Sequence, residues 1–220
     1  MNYMELIKQR HTVREYLDKA ISKEHVVEIE QYLKQINQEA KTNFQLVLKA
    51  PQVFTDYLKP KENFENAQNY IALVAGPLDD LALKIGYYGQ KVVLFLQNLG
   101  LNTCWIASTY VDDPSTYQMK DEEFLVLIIS VGYGQHQGKQ HLNKPIEETY
   151  QAPHDVPSWF LDGVKSALLA PTARNQQSYK FIYHQEGVEL VDLGGRWSDL
   201  DLGIVKLHFE LGAKEPVIWL

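Results

Sequence analysis

The stretch from residue 82 to 99 constrains this chain most. Val92, Val93, Phe95, Leu96 and Leu99 leave few polar positions on its inner face. A helix apolar over so much of its circumference has to be buried, so it reads as a central helix. Gly100 fits its C-terminal end. The second demand comes from Phe124 to Tyr133, a continuous apolar run suited to a strand covered on both faces. With 220 residues, 45% of them apolar, the chain can bury both elements in one domain or in two small, closely packed halves.

The remaining pattern alternates helix and strand. Residues 3–9 predict a short helix. Ser22 is a plausible N-cap for the next one, in which Val26, Ile29, Leu33 and Ile36 recur at helical spacing. Phe44 to Lys49 and Tyr70 to Ala75 read as strands, the latter closed by Gly76-Pro77. Thr103 to Ile106 forms a short strand-like turn after the central helix. Residues 134–157, rich in Gly, Gln, His, Lys and Pro, look like an extended linker. A helix then runs from Pro157 to about Leu169, followed by the polar loop PTARNQQ. Tyr179 to His184 and Val188 to Asp192 predict a hairpin, residues 199–211 a last helix ending at Gly212, and Val217 to Trp219 a short strand. FLQNLGLNTCWI in the first part and HFELGAKEPVIW in the last share an order of residues. This hints at an internal repeat, although many α+β domains share that order.

Charge and cysteine usage narrow the function classes. A net charge of -7 argues against general affinity for nucleic acid or an anionic membrane. An anionic ligand must then be held by a local cluster of cations. The lone Cys104 cannot form an internal disulfide or a cysteine-rich metal site. No histidine spacing predicts a metal site, and neither GxGxxG nor GxxxxGK[ST] occurs. The N-terminus lacks an apolar core of signal-peptide length, and the longest apolar run is too short to span a bilayer. The expectation is a soluble cytoplasmic protein.

Three segments carry candidate chemistry. Arg10, Thr12 and Arg14 place two guanidinium groups and a hydroxyl close in sequence, able to surround a phosphate. The competing reading is a solvated face with Glu5 or Glu15 as acidic neighbour. Pro171 to Gln177 sets amides in a turn, and an amide matches the alternating carbonyl and N–H edge of a heterocycle. The same amides could simply face water. In GYGQHQGKQHLNKP, Lys139, His141 and Lys144 follow a buried strand and could add positive charge at its end, or merely form a basic surface linker.

The order of these segments resembles the nitroreductase family. RHTVREY is similar to the family's opening Arg-Arg/His-Ser/Thr-x-Arg/Lys-x-Phe/Tyr, and APTARNQQSYKF to its Ser/Ala-Pro-Ser-x-x-Asn-x-Gln-Pro-Trp-x-Phe loop. LGLNTCWIAS resembles the segment after the family's central helix, and LGIVKLHFELGA a further family helix. Two departures stand out: Ser178-Tyr179 replaces Pro-Trp, and the amide loop lies in the second half of the chain, far from the opening motif. The resemblance is therefore to the subfamily that looks like a pseudo-dimer in one chain. It implies an α+β fold with a central, mostly antiparallel sheet packed by helices, in two similar halves, 1–150 and 151–220. It implies FMN as cofactor, with Arg10, Thr12 and Arg14 at the phosphate and ribityl chain, Lys144 helping to hold the phosphate, and His11 and His141 among the other cofactor-binding residues. Trp105, Ile106, Ala107 and Ser108 would pass by the ring, and Pro171, Thr172, Ala173, Asn175 and Gln177 would close over it. The implied partners are NADH or NADPH and a small nitroaromatic, quinone or similar acceptor, in a monomer or weak homodimer. No side chain is assigned as catalytic, since hydride transfer through a flavin requires none. The alternative is a non-catalytic FMN-binding protein, a sensor or storage module.

Overall fold

The computed structural model describes residues 2–54 and 64–220. Among these residues the five helices, and all the strands but the one at Tyr150–Gln151, fall where the apolar pattern predicts them. Helix α1 spans Tyr3–Gln9, α2 Lys23–Ala40, α3 Leu81–Asn98, α4 Ser158–Ala167 and α5 Ser198–Ala213. Strands β1 (Asn43–Val47), β2 (Tyr70–Ala75), β3 (Asn102–Ile106) and β4 (Phe124–Gly132) belong to one sheet. Strands β5 (Tyr150–Gln151), β6 (Tyr179–His184) and β7 (Gly187–Asp192) belong to another. Packing divides the chain into two compact units, each assembled from separated segments. One comprises Arg10–Asp79 and Val92–Lys139; the other comprises Met1–Gln9, Asp80–Lys91 and Gln140–Leu220. The first part of α3 thus packs with the second unit and the remainder with the first.

The first unit is built on a four-stranded sheet ordered β1-β2-β4-β3, antiparallel throughout. Every residue of β2 is buried. That is the burial a central strand requires, and it explains an apolar run without alternation. Helix α2 begins at Ser22, whose hydroxyl accepts the His25 N–H at 3.1 Å. It buries Ile29, Leu33, Ile36 and Ala40, the large ones contributing roughly 1.5–3 kcal/mol each. Tyr32 on α2 stacks on Phe95 of α3, ring centroids 4.1 Å apart. Gly100 ends α3 with φ of 74°, a left-handed conformation open to glycine.

The edge strand β3 is covered by an extended segment from the N-terminal part of the chain. Thr12 pairs in parallel with Thr103, and the Val13 N–H donates to the Thr103 carbonyl at 3.0 Å. Three residues on, the Tyr16 N–H donates to Glu65 O at 2.9 Å and the Leu17 N–H to Tyr133 O at 2.7 Å. The Tyr16 side chain, 2% exposed, fixes the segment from within. Its hydroxyl lies 2.8 Å from Val13 O, to which it donates, and 2.7 Å from Ser130 Oγ. Burial raises the phenol far above its ordinary pKa.

In the second unit, α5 is buried along nearly its whole length, from Leu200 to Ala213. Glycines explain how closely it is packed. A Cβ at Gly203 would fall on the carbonyl oxygen of Leu83 and 2.7 Å from the Tyr87 nitrogen, and one at Gly86 would fall on the Leu200 carbonyl. The backbones of α3 and α5 touch there. Phe160, Phe181, Phe209 and Trp219 form an aromatic core beside them, with Phe181 and Phe209 centroids 4.5 Å apart.

The linker expectation for residues 134–157 is corrected in part. Its second half contains a 3-10 turn at Ile146–Glu148 and the strand β5, paired in parallel with β6. Two residues show no periodicity, and the pairing rests on a tertiary bond, Phe181 N–H to Thr149 O at 2.9 Å. The expected strand at Val217 to Trp219 is an isolated bridge from Trp219 to Val188. Among the described residues no helix is long and apolar enough to cross a membrane.

Candidate functional site

The segment along β3 carries the two arginines of the opening motif. Arg10 is 3% exposed and Arg14 half-buried. The Nε atoms of both are buried and have no hydrogen-bond partner, and no ion pair among the described residues involves either side chain. Burial pushes the Arg10 guanidinium down from 12.5 to about 10, against a small opposing effect of Cys104. The surface reading, with Glu5 or Glu15 as neutralising neighbour, does not hold: Glu15 lies 3.4 Å from His136, and Glu5 accepts from Gln9 at 2.7 Å.

A buried cation without a counter-charge is costly in water-excluded surroundings, and each orphaned N–H adds to that. Guanidinium groups of this kind match the geometry of a carboxylate or phosphate. Parallel pairing to β3 brings the segment beside the strand that holds Trp105 and Ile106 and leads into Ala107 and Ser108. His11 is half-buried and Thr12 exposed. The linker closes against them: a Cβ at Gly138, φ 74°, would lie 2.7 Å from His11 Cβ and 2.9 Å from Thr12 O. Sequence reading missed both Gly138 and the Tyr16–Ser130 lock. Only the glycine-rich run after β4 signalled that the backbone comes close there.

A cavity of about 580 Å³ in the same unit lies elsewhere. Leu33, Lys34 and Asn37 of α2 and Phe44 to Leu46 of β1 line it. The arginine segment pairs with β3, at the opposite edge of the sheet.

In the second unit the amide loop is held by hydrogen bonds on both sides. Thr172 Oγ1 accepts from the Gln177 N–H at 3.1 Å. Gln177, 2% exposed, donates through Nε2 to Leu142 O at 2.9 Å and to Asn175 Oδ1 at 3.0 Å. Its Oε1 accepts the Lys144 N–H at 3.0 Å, and Lys144 Nζ donates to Gln177 O at 3.0 Å. Asn175, exposed, donates to Leu142 O at 2.8 Å. His141 Nε2 lies 3.0 Å from Leu168 O. The structure thus joins Lys144, Thr172, Asn175 and Gln177, which sequence reading placed in two separate segments, while His141 contacts Leu168 just before the loop. Pro171 and Ala173 are half-buried beside them. Arg174, Asn175 and Gln177 all have positive φ, from 46° to 55°, so the loop is held where L side chains seldom sit. At its other side the Ala173 N–H donates to both oxygens of Asp201, a residue the sequence did not single out. An acid within the apolar LDLGIVKLHF was the available signal.

Residues 2–213 match the family described as "Putative TM nitroreductase". The chain belongs to this nitroreductase family. A protein from Thermotoga maritima, described as a putative nitroreductase, is 25% identical, with a TM-score of 0.64 over 96% of this chain and 83% of that one. An FMN-dependent nitroreductase from Clostridium difficile is 21% identical, TM-score 0.50, over 60% of this chain and 87% of its own. A Parabacteroides distasonis protein described as a putative NADH dehydrogenase/NAD(P)H nitroreductase is 17% identical, TM-score 0.54, over 69% and 98%. At those identities the last two share the fold alone. No curated protein matches. The mixed α+β architecture with its antiparallel sheet and five helices among the described residues is that of the nitroreductase fold, and membership makes the chain an oxidoreductase.

Proposed function

We propose that this nitroreductase is an NAD(P)H-dependent FMN oxidoreductase of the cytoplasm, acting on a small nitroaromatic, quinone or similar acceptor. The observation that carries the proposal is the Arg10–Arg14 segment, with both Nε atoms buried and unpartnered. A phosphate monoester is a dianion near neutral pH and accepts several charge-assisted hydrogen bonds. It therefore suits two guanidinium groups whose Nε atoms have no acceptor among the described residues, and the residues present fit the group. Arg10 and Arg14 would hold the phosphate, with Thr12 and His11 at the ribityl side. Trp105, Ile106, Ala107 and Ser108 are assigned to the ring because their strand runs beside the arginine segment. His141, Lys144, Pro171, Thr172, Ala173, Asn175 and Gln177 are assigned to FMN on the family resemblance, supported within their own unit by the rigidity of the hydrogen-bonded loop.

Bound FMN supplies hydride transfer between a nicotinamide and an acceptor. The protein's part is positional. Tyr16 and the pairing to β3 keep the arginines aligned, so little reorganisation is needed when the anion arrives. Burial of Arg10 keeps water from its side chain and so strengthens its hold on charge. The nicotinamide partner is inferred from the Parabacteroides neighbour's description. We also propose that halves 1–150 and 151–220 are related repeats, that one FMN binds per chain, and that the protein is a monomer or a weak homodimer. The test is the absorption spectrum of the purified protein. A flavin band bleached by NADH or NADPH, at one FMN per chain, is expected. A chain that stays colourless after FMN is added refutes the proposal.

A further inference from the structure

Asp201 lies in the first turns of α5 and is 5% exposed. Its carboxylate accepts the Ala173 N–H at 2.9 and 3.0 Å and Gln176 Nε2 at 3.0 Å. The other Gln176 proton goes to Arg196 O at 3.0 Å. Every contact to the carboxylate is therefore an N–H donor. Protonation would remove the negative charge that strengthens these bonds, and on Oδ2, which already accepts two donors, it would displace one of them. The loop beyond Ala173 has three left-handed non-glycine residues, a conformation that persists only when its surroundings impose it. Asp201 imposes it on one side, and Lys144 with Leu142 on the other.

We propose that ionised Asp201 is a positioning residue that holds loop 171–177 in its FMN-binding conformation, so that FMN retention weakens when the carboxylate is protonated. This inference rests on the flavin reading above. Burial pushes the Asp201 carboxyl up to about 6, the bonds from Ala173 and Gln176 pull it down in part, and Asp192 adds a small upward effect. The sign follows: the group is charged at pH 7.5, and the clamp is lost as pH falls through about 6. Asp192, at the end of β7, is itself bound by Ser198 Oγ at 2.9 Å. Other charged groups lie on the packed elements: Glu5 and Lys8 on α1, Lys84 and Lys91 on α3, Asp162 and Lys165 on α4, and Asp199, Arg174 and Arg196 nearby in sequence. None hydrogen-bonds or pairs with Asp201 among the described residues. No cation among the described residues pairs with Asp201, so no ion pair opposes the effect of burial on its carboxyl.

The experiment has two arms. In the flavin-free protein, the Ala173 amide resonance is followed from pH 8 to 5. It is expected to move with a midpoint near 6 in the wild type and to stay still in Asp201→Asn. FMN affinity is then measured by quenching of flavin fluorescence at pH 7.5 and 5.5. The phosphate of FMN gains a proton in the same range and weakens both proteins alike, so the ratio between them is read. The wild type should lose about fourfold more affinity than Asp201→Asn, the drop in its ionised fraction over that interval. A static Ala173 amide in the wild type, which needs no variant, overturns the proposal. So does an unchanged ratio in proteins that bind FMN at pH 7.5. Failure of the wild type to bind at pH 7.5 defeats the flavin reading instead, and the inference with it.

Discussion

Replacing Arg10 by methionine separates stability from binding. In the free protein the guanidinium is 3% exposed, its Nε has no partner, and its pKa falls from 12.5 to about 10. That shift corresponds to about 3 kcal/mol against the charged form in the folded state. The group is charged in both folded and unfolded chains below pH 10. The penalty is thus fully present at neutral pH and is relieved only as pH rises through 10 towards 12.5. Methionine keeps the apolar stem and removes the charge, so flavin-free Arg10→Met should be more stable by about 1–3 kcal/mol, raising Tm by roughly 2–10 °C. FMN at a hundredfold excess over its Kd stabilises a binding protein by about 2.7 kcal/mol, and the variant should show no such shift. Thermal unfolding followed by circular dichroism, with and without FMN, measures both. A flavin-free variant that melts below the wild type, yet still gains stability from FMN, would refute the reasoning.

Other perturbations test the surroundings. Gly138→Ala would bring a methyl onto His11 and Thr12 at a left-handed backbone position; it should cost about 1–3 kcal/mol in urea unfolding and weaken FMN retention. Tyr16→Phe removes the bonds to Val13 O and Ser130 Oγ, and about 1–2 kcal/mol of stability should go with them. Gly203→Ala would press a Cβ onto α3. Calorimetry should find it among the most destabilising single changes, about 3 kcal/mol or more, with an unaltered Tm counting against the close helix approach. Lys144→Met breaks the bond to Gln177 O, and faster amide exchange across residues 171–177 is expected.

The elements legible in the sequence were those whose burial leaves a periodic trace. The run Tyr70 to Ala75 reads directly as β2, and Ile29, Leu33 and Ile36 announce the buried face of α2. The hairpin of β6 and β7 was equally plain, because Glu186-Gly187 punctuates it. Strand β5 escaped because two residues carry no period and their pairing depends on distant Phe181. The arginine segment was legible as residue types, but its pairing with β3 was not, since a backbone bond from Val13 to Thr103 has no side-chain signature. Nor was the Asp201 clamp visible, because an acid on an apolar helix is as compatible with an exposed face as with a buried one.

One unit comprises the first nine residues, a short piece of the middle and everything after residue 139. Its segments are far apart along the chain. Helix α1 must wait for α5, its packing partner, which is made after the other four helices described. The four-stranded sheet is complete once residue 132 has appeared, so it can consolidate before α5, which the other unit needs, has been made. Severing the polypeptide near position 150 would strand α1 and the leading turns of α3 without the helix they pack on, so neither fragment would complete the core of that unit.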